Sequence, residues 1–260
     1  MAIGAEQWAV KVLERDRKEN NVDHLQEPWN ALLPEVNVEE GTLLAQAQDL
    51  QGLFNINNLV SGRDKIWYPL FLRLLSVLEL NEALADSIID WLDNDIDVTG
   101  ANGAEDAEYL SMDPSYRTAN RMIIDVGELI WVKGFDKNVL AVLSPFITAL
   151  PEKNIKINVN TCPPLLLRVL TKNILSEIAA ESLVEGRGDE GYQDVEAFIT
   201  RTELAGESDN VESLVSVFSD YFQVYSQATF GRLKTILLSV VQRKENGEKV
   251  IVLQRRRGLS

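Results

Sequence analysis

The chain has 260 residues, of which 45% are hydrophobic, and Asp plus Glu (40) outnumber Lys plus Arg (25), giving a net charge of -15. That length and apolar content suit a large core or two domains and exclude a disordered chain. The acidity argues against a nucleic-acid binder, which needs positive charge along a groove, and against docking on an anionic membrane face. Cys162 and His24 are the sole residues of their types. Their number excludes an intrachain disulfide and any zinc site built from cysteines or several histidines. A metal here needs oxygen ligands, as calcium or magnesium does. No run of 18 apolar residues marks a transmembrane helix, and Ala2 to Val12 lacks the basic region and apolar core of a signal peptide.

In chain order, Ala5 to Glu19 reads as a helix with Trp8, Val12 and Ala5 on one thin apolar face. Leu25 to Asn58 reads as short strands and turns. Glu40-Gly41 is a hairpin turn between Val36–Val38 and Thr42–Ala47, and Leu53, Phe54 and Ile56 are strand-like. Asn55, Asn57 and Asn58 suit a strand end, where their amides fix turns. The period changes at Tyr68. Leu70, Phe71, Leu74, Leu75 and Leu78 mark one helix, and Leu84, Ile88, Ile89 and Leu92 a second. A long polar loop follows to about Tyr116, then helical pieces from Asp125 or Val126 to Ile130 and from Phe135 to Leu143.

Ile155 to Thr161 alternates, Asn160-Thr161 can cap the helix behind it, and Pro163-Pro164 occupies that helix's first turn. Leu165 to Leu170, Ile174 to Val184 and Val195 to Arg201 are helical, with a break at Gly186-Arg187-Gly188. Phe222–Ala228, Arg232–Gln242 and Lys249–Gln254 are strands, and Asn246-Gly247 is a hairpin signal between the last two. The simplest topology is an α+β domain, residues 1–59 and 207–260, with an all-helical domain inserted at 60–206.

The charge has an address. From Asp86 to Asp113 there are nine acidic residues and no basic one; from Arg232 to Arg257 there are eight basic and two acidic. Asp93, Asp95 and Asp97 alternate as in the opening of a calcium loop, where the chain wraps a hard ion of high coordination number. The match to an EF-hand then fails, with Val98 in place of the sixth-position glycine and Ala104 in place of the twelfth-position glutamate. Gly100 and Gly103 permit a tight return that brings Glu105 and Asp106 towards Asp93–Asp97. Three readings stay open for the block: a calcium site, a solvated acidic loop, and a carboxylate pair serving a hydrolase.

Elsewhere the residues read as structural. His24 is a surface or turn residue, Cys162 a buried thiol, and Trp67, Trp91 and Trp131 are core. Arg255-Arg256-Arg257 is a short basic tail, either a solvated end or a contact for an acidic partner. Ile157–Thr161 and the two helices behind it have the outline of a helix-hairpin-helix module, a second alternative function. The hairpin Leu170–Ile174 lacks the glycines that present amides to phosphate, so nucleic acid is not an expected partner. No P-loop, dinucleotide fingerprint or Gly-x-Ser-x-Gly elbow is present.

Together, Asp49 to Leu59, Asp90 to Asp97, Gly103-Ala104-Glu105-Asp106 with Tyr109, Pro114 to Asn120, Glu128-Leu129 with Gly134, and Ile157 to Thr161 resemble the periplasmic part of the type II secretion minor pseudopilin K family. The resemblance implies a pilin-like fold interrupted by a large helical domain. It implies a non-enzymatic protein of the bacterial periplasm, held in the inner membrane by an apolar helix preceding Ala2, with Ala2 to Arg17 as that helix's soluble continuation. It also implies assembly with minor pseudopilins I and J at the pseudopilus tip, through a helix face carrying Trp8 and Val12, and leaves contact with secreted substrate protein open. Finally it implies calcium as cofactor in the inserted region, with ligands among Asp93, Asp95, Asp97, Glu105 and Asp106 and a contribution open to Asp125.

Overall fold

The computed structural model describes residues 2–31, 36–38, 41–63, 65–244 and 249–258. Helix α1 (Ala2–Glu19) leads into strands β1 (Val36–Val38), β2 (Gly41–Asp49) and the short β3 (Phe54–Asn55). A 3-10 turn at Ile56–Ser61 opens a largely helical stretch: α2 (Trp67–Val77), α3 (Ala83–Leu92), α4 (Asp106–Tyr109), a 3-10 turn at Val126–Trp131, and α5 (Lys137–Leu143). After strands β4 (Ile147–Thr148) and β5 (Ile157–Asn158) come α6 (Pro164–Val169), α7 (Glu177–Glu185), α8 (Val195–Ile199) and α9 (Ser208–Glu212). Strands β6 (Val215–Ser216), β7 (Tyr221–Phe230), β8 (Leu233–Lys244) and β9 (Lys249–Arg257) complete the chain. The expected α+β plan is therefore the observed one. An N-terminal helix packs on an antiparallel sheet, and a helical stretch is inserted between two of the sheet's neighbouring strands.

Among the described residues the main sheet has the order β1-β2-β7-β8-β9, and every adjacent pair is antiparallel. Strand β2 pairs with β7 along its whole length, from Gly41 opposite Phe230 to Asp49 opposite Phe222. The helical stretch therefore leaves and re-enters the sheet at one point. Of the expected hairpins, Glu40 and Asn246-Gly247 lie outside the described residues.

Helix α1 covers one face of this sheet. Its buried stripe is Ala2, Ala5, Glu6, Ala9, Leu13 and Asp16. Three alanines keep that face flat, so the helix backbone lies close over Ala45 and Ala47 of β2, with Phe222, Val224, Val241 and Val250 filling the remaining space. This corrects the face expected from sequence. Ala5 is buried, but Trp8 points away from the sheet and is 46% exposed. Small residues carry the true contact face, and a search for bulky side chains passes over them.

The three C-terminal arginines do not form a tail. They end β9, and a bulge explains their roles. Val240 pairs with Gln254 while Val241 pairs with Val252, so one extra residue is inserted and the in–out alternation flips. Arg255 consequently faces α1, where its guanidinium binds the buried Glu6 carboxylate at 2.8 and 2.9 Å. Arg256 faces the opposite side and pairs with Asp125 of the helical stretch.

Besides the Arg256–Asp125 pair, two buried polar clusters hold the insert's loops against the segments that leave and re-enter the sheet. Buried Asp49, at the end of β2, accepts hydrogen bonds from Thr161 Oγ1 (2.5 Å), Ser219 Oγ (2.7 Å) and Asn158 Nδ2 (3.1 Å). Burial pushes its carboxyl up to about 6 against these donors. Thr161 is thus spent on Asp49, and Asn160 binds the Tyr192 backbone, so neither caps α6; its N-cap, Pro163, makes no side-chain cap bond.

The second cluster is the asparagine trio, which does fix loops as its composition suggests. Asn57, with no exposed surface, donates to the carbonyls of Ile123 (2.9 Å) and Leu150 (2.7 Å) and accepts from the Ile123 amide (2.8 Å). Asn55 and Asn58 serve Leu150, Glu152 and Ile155 in the same way. With three bonds lost and partners left buried, Asn57→Ala is expected to lower stability by about 2 kcal/mol, measured by urea unfolding.

The core of the helical stretch is a separate apolar cluster running from Phe54, Ile56 and Leu59 through α2, α3 and α6 to Leu214, Val215 and Val217. Trp67 and Trp91 belong to it. Trp131 does not; it is 50% exposed, lying edge-on to Tyr116 at 5.5 Å. Cys162 is buried there, as expected, and burial raises its thiol to about 11, too high for a nucleophile at neutral pH.

Candidate functional site

The acidic block sits at the C-terminal end of α3 and in the loop behind it. Ile88, Ile89 and Leu92 bury one side of α3, and Asp86 and Asp90, one turn apart, are buried as well. The helix stops at Asp93, whose amide still donates to Ile89 O at 2.9 Å. The Asp97 amide then donates to Asp95 Oδ1 (2.9 Å), a tight asparagine-type turn that reverses the chain. Gly100 adopts φ +61, in the region glycine alone adopts without strain. Thr99 N donates to Asp90 Oδ1 (3.0 Å) and Gly103 N to Thr99 O (3.1 Å), returning the chain beside α3. Gly103 is required for that approach, because a Cβ there would collide with Asp90 Oδ2.

The return brings three of the five expected ligands together. Asp93, Asp95 and Glu105 each place a carboxylate oxygen within 4.8 Å of the others. Asp97 is not in this group; its carboxylate is exposed and its amide is spent on Asp95. Asp106 turns the other way, accepting from Arg117 Nη1 (2.9 Å), Thr118 N (3.1 Å) and Thr118 Oγ1 (3.0 Å). Asp125 is distant in role too, capping the 3-10 turn through Gly127 N and pairing with Arg256.

The structure adds a residue absent from the expected ligand set. Asp90 is fully buried, and its Oδ2 has no hydrogen-bond partner; the same holds for Asp93 Oδ1 and Glu105 Oε1. The signal was legible. Asp90 and Asp93 are three apart on one helix, hence on one face at its end.

Three carboxylates at this spacing, all ionised, repel by about 3 kcal/mol per pair at an effective dielectric of about 20. The electrostatics follow. Burial, then the charges of Asp90, Asp93 and Asp95, raises Glu105 to about 7; burial, then Asp95 and Asp90, raises Asp93 to about 6. A second trio, Asp16, Asp23 and Glu27, shows how the fold treats such a cluster when it supplies its own cation. Arg243 lies between them, with Nη2 2.6 Å from Asp16 Oδ2 and Nη1 2.6 Å from Asp23 Oδ1. Among the described residues, no Lys or Arg pairs with Asp90, Asp93, Asp95 or Glu105. Unpartnered buried oxygens, all from carboxylates and with no sulfur or imidazole nearby, fit a hard divalent cation.

The helix-hairpin-helix outline survives only as a shape. Between α6 and α7 the Thr171 hydroxyl donates to Asn173 O (2.6 Å) and the Leu175 amide to Arg168 O (3.0 Å), so the hairpin is closed on itself.

Comparisons with known proteins agree along the whole chain. Family models described as type II secretion system (T2SS), protein K match residues 52–152 and 157–217. The chain is 36% identical to the type II secretion system protein K of Pseudomonas aeruginosa, over 99% of this chain and 79% of that one. It is 32% identical to the Aeromonas hydrophila protein of the same description, over 99% and 83%. Among solved structures, it superposes with a TM-score of 0.89 and 26% identity on a chain of the GspK-GspI-GspJ complex from the enterotoxigenic Escherichia coli type 2 secretion system, covering 99% of this chain and 94% of that one.

Proposed function

The chain belongs to the type II secretion system protein K family, and on that premise we propose that it is a non-enzymatic minor pseudopilin that assembles with minor pseudopilins I and J at the tip of the pseudopilus. The observation that carries this is the match over nearly the whole chain to a member of the GspK-GspI-GspJ complex. The proposed location is the periplasm, with anchoring at the inner membrane through an apolar helix continuous with α1. No helix among the described residues is itself long and apolar enough to cross a membrane.

The domain division at 60 and 206 belongs to the same proposal. Separate apolar clusters support it, with one refinement: Phe54, Ile56, Leu59 and Val211 to Val217 pack with the insert. The tip position follows from bulk, because an insert of this size would block a further subunit from stacking above. Assembly uses the face of α1 that the sheet leaves uncovered, where Ile3 and Trp8 are both about half exposed. Mixing the protein with the soluble regions of pseudopilins I and J is expected to give one size-exclusion peak carrying all three chains. Trp8→Glu is expected to weaken that co-elution at least tenfold without changing the melting temperature, since the side chain is not in the core. A wild-type protein that elutes alone would overturn the reading.

The insert's loop is proposed as a calcium site. Asp90, Asp93, Asp95 and Glu105 would hold the ion, and the three unpartnered carboxylate oxygens support this set. Bound calcium supplies charge neutralisation and cross-linking of the loop, not chemistry at a substrate. The role of the site is to stiffen the insert on which the tip is built.

A further inference from the structure

The loop behind α3 has two halves that are held by different means. The return half, 99–103, is tied to protein groups. Thr99 N donates to Asp90 Oδ1 (3.0 Å), Gly103 N to Thr99 O (3.1 Å), and Ser87 Oγ to Asn102 O (3.2 Å). Gly100 is seated on an ion pair whose carboxylate is buried and whose guanidinium is half exposed. A side chain there would meet Arg63 Nη1 at 2.8 Å and Asp86 Oδ2 at 3.0 Å. Arg63 Nε lies 3.3 Å from Asp86 Oδ1, and the Tyr68 hydroxyl donates to that same oxygen at 2.7 Å. The guanidinium also lies over the Tyr68 ring, 5.3 Å from its centroid. The outgoing half, 94–98, has no such ties. Its one side-chain bond among the described residues is internal, Asp97 N to Asp95 Oδ1, and Ile96 is 80% exposed.

We infer that Arg63, through Asp86, is a positioning residue that pre-assembles the return half of the loop before any cation arrives, leaving the outgoing half alone to be ordered by calcium. This rests on the calcium reading for the outgoing half and on protein contacts alone for the return half. Arg63 neutralises Asp86, which is buried, while its own side chain reaches from just behind the 3-10 turn at Ile56–Ser61 to cover Gly100. Asp90 joins the halves. One oxygen holds the Thr99 amide and the other is left without a partner. Pre-assembly of this kind raises affinity, because the ion then orders fewer residues on binding. Outer partners of metal ligands commonly contribute ten- to a hundredfold to affinity.

The test is backbone hydrogen exchange of the full chain, in calcium and in chelator, alongside calcium titration. In the wild type, chelation is expected to expose the Asp97 amide region while Thr99 and Gly103 stay protected. Arg63→Met is expected to expose Thr99 and Gly103 in chelator and to weaken calcium binding by about tenfold, with Arg63→Lys restoring part of both. Gly100→Ala attacks the same joint from the loop side and is expected to act likewise, which keeps the test valid if Arg63→Met folds poorly. Chelation that releases 94–103 as one unit in the wild type would overturn the inference and leave the calcium reading standing. If calcium alters neither half, the calcium reading falls. Protection of Thr99 and Gly103 that is lost in Arg63→Met would then still uphold the anchor, and protection retained would overturn it.

Discussion

Arg243→Met is expected to lower the stability of the protein by about 3–5 kcal/mol at pH 8, the usual cost of breaking a buried ion pair by removing one partner. The guanidinium is buried, bridges Asp16 of α1 to Asp23, donates to Ser219 O at 3.2 Å and lies over the Phe222 ring, 4.5 Å from its centroid. Methionine would fill much of the volume and keep contact with the ring, so the loss isolates the charge. What remains is Asp16, Asp23 and Glu27 together in the interior. Burial and the repulsion of Glu27 already raise Asp16 to about 7, with Arg243 opposing them, and burial raises Asp23 as well.

The sign of the pH effect follows. A carboxyl whose folded pKa exceeds its unfolded value of about 3.8 binds its proton more tightly in the native state, so its contribution is present below about pH 4 and is lost as pH rises through about 7. Without Arg243 both carboxyls shift further up. The variant's deficit is therefore expected to be smaller at pH 5 than at pH 8, and Asp16→Asn added to Arg243→Met to recover part of it. Guanidinium unfolding at the two pH values measures this; a deficit below about 1 kcal/mol at pH 8 would show that the arginine is not the cluster's counter-charge.

The acidic loop predicts the second large effect. Calcium at a hundred times its dissociation constant is expected to stabilise the folded chain by about 2.7 kcal/mol, which for a protein of this size raises the melting temperature by about 5–10 °C. Glu105→Gln is expected to remove most of that shift and Asp90→Asn a comparable share. Asp106→Asn is expected to change it little, because that carboxylate faces Arg117 and Thr118. Acid competes with the ion. Glu105 at about 7 and Asp93 at about 6 take up protons before calcium can be held, so affinity falls below about pH 7. In the metal-free protein the same two groups have raised pKa values, so stability rises as pH drops through 7 towards 4. Melting temperatures with and without calcium should converge on acidification. Scanning calorimetry at pH 8 that shows no shift on adding calcium would remove the site.

These two clusters differ in how far they could be read in advance. The acidic loop is local. Nine acids without a base over one stretch, alternation at 93, 95 and 97, and glycines at 100 and 103 all lie within about thirty residues, so the sequence displays the excess charge and the chain's means of turning. It does not display which acids converge. Asp97 and Asp106 were as good candidates as Asp95 and Glu105 until the turn left the Asp97 carboxylate exposed outside the cluster and Arg117 claimed that of Asp106. The Arg243 cluster is nonlocal. Its members come from α1, the segment behind it and β8, more than 200 residues apart, and nothing at position 243 distinguishes that arginine from the solvated ones.

By itself the sequence determined the family, the α+β class, the N-terminal helix, the long helices and strands, and the place of the acidic loop, while the short α4, β4, α9 and β6 were not legible in it. The legible features depend on periodicity, turn residues and local charge, which short stretches of chain carry whole. Tertiary structure alone decided the facing of side chains. A one-residue bulge in β9 sent Arg255 to α1 and Arg256 to the insert, and a stripe of alanines, not Trp8, became the buried face of α1. It also chose the counter-charges, giving Arg243 to one trio of acids, Arg63 to Asp86 and, among the described residues, no Lys or Arg to Asp90, Asp93, Asp95 and Glu105. The physical reason is the same throughout. A buried side chain needs a matching partner, an opposite charge or a hydrogen-bond donor for an acid and a close-packed surface for an apolar group, and which partner is near is a property of the packed fold.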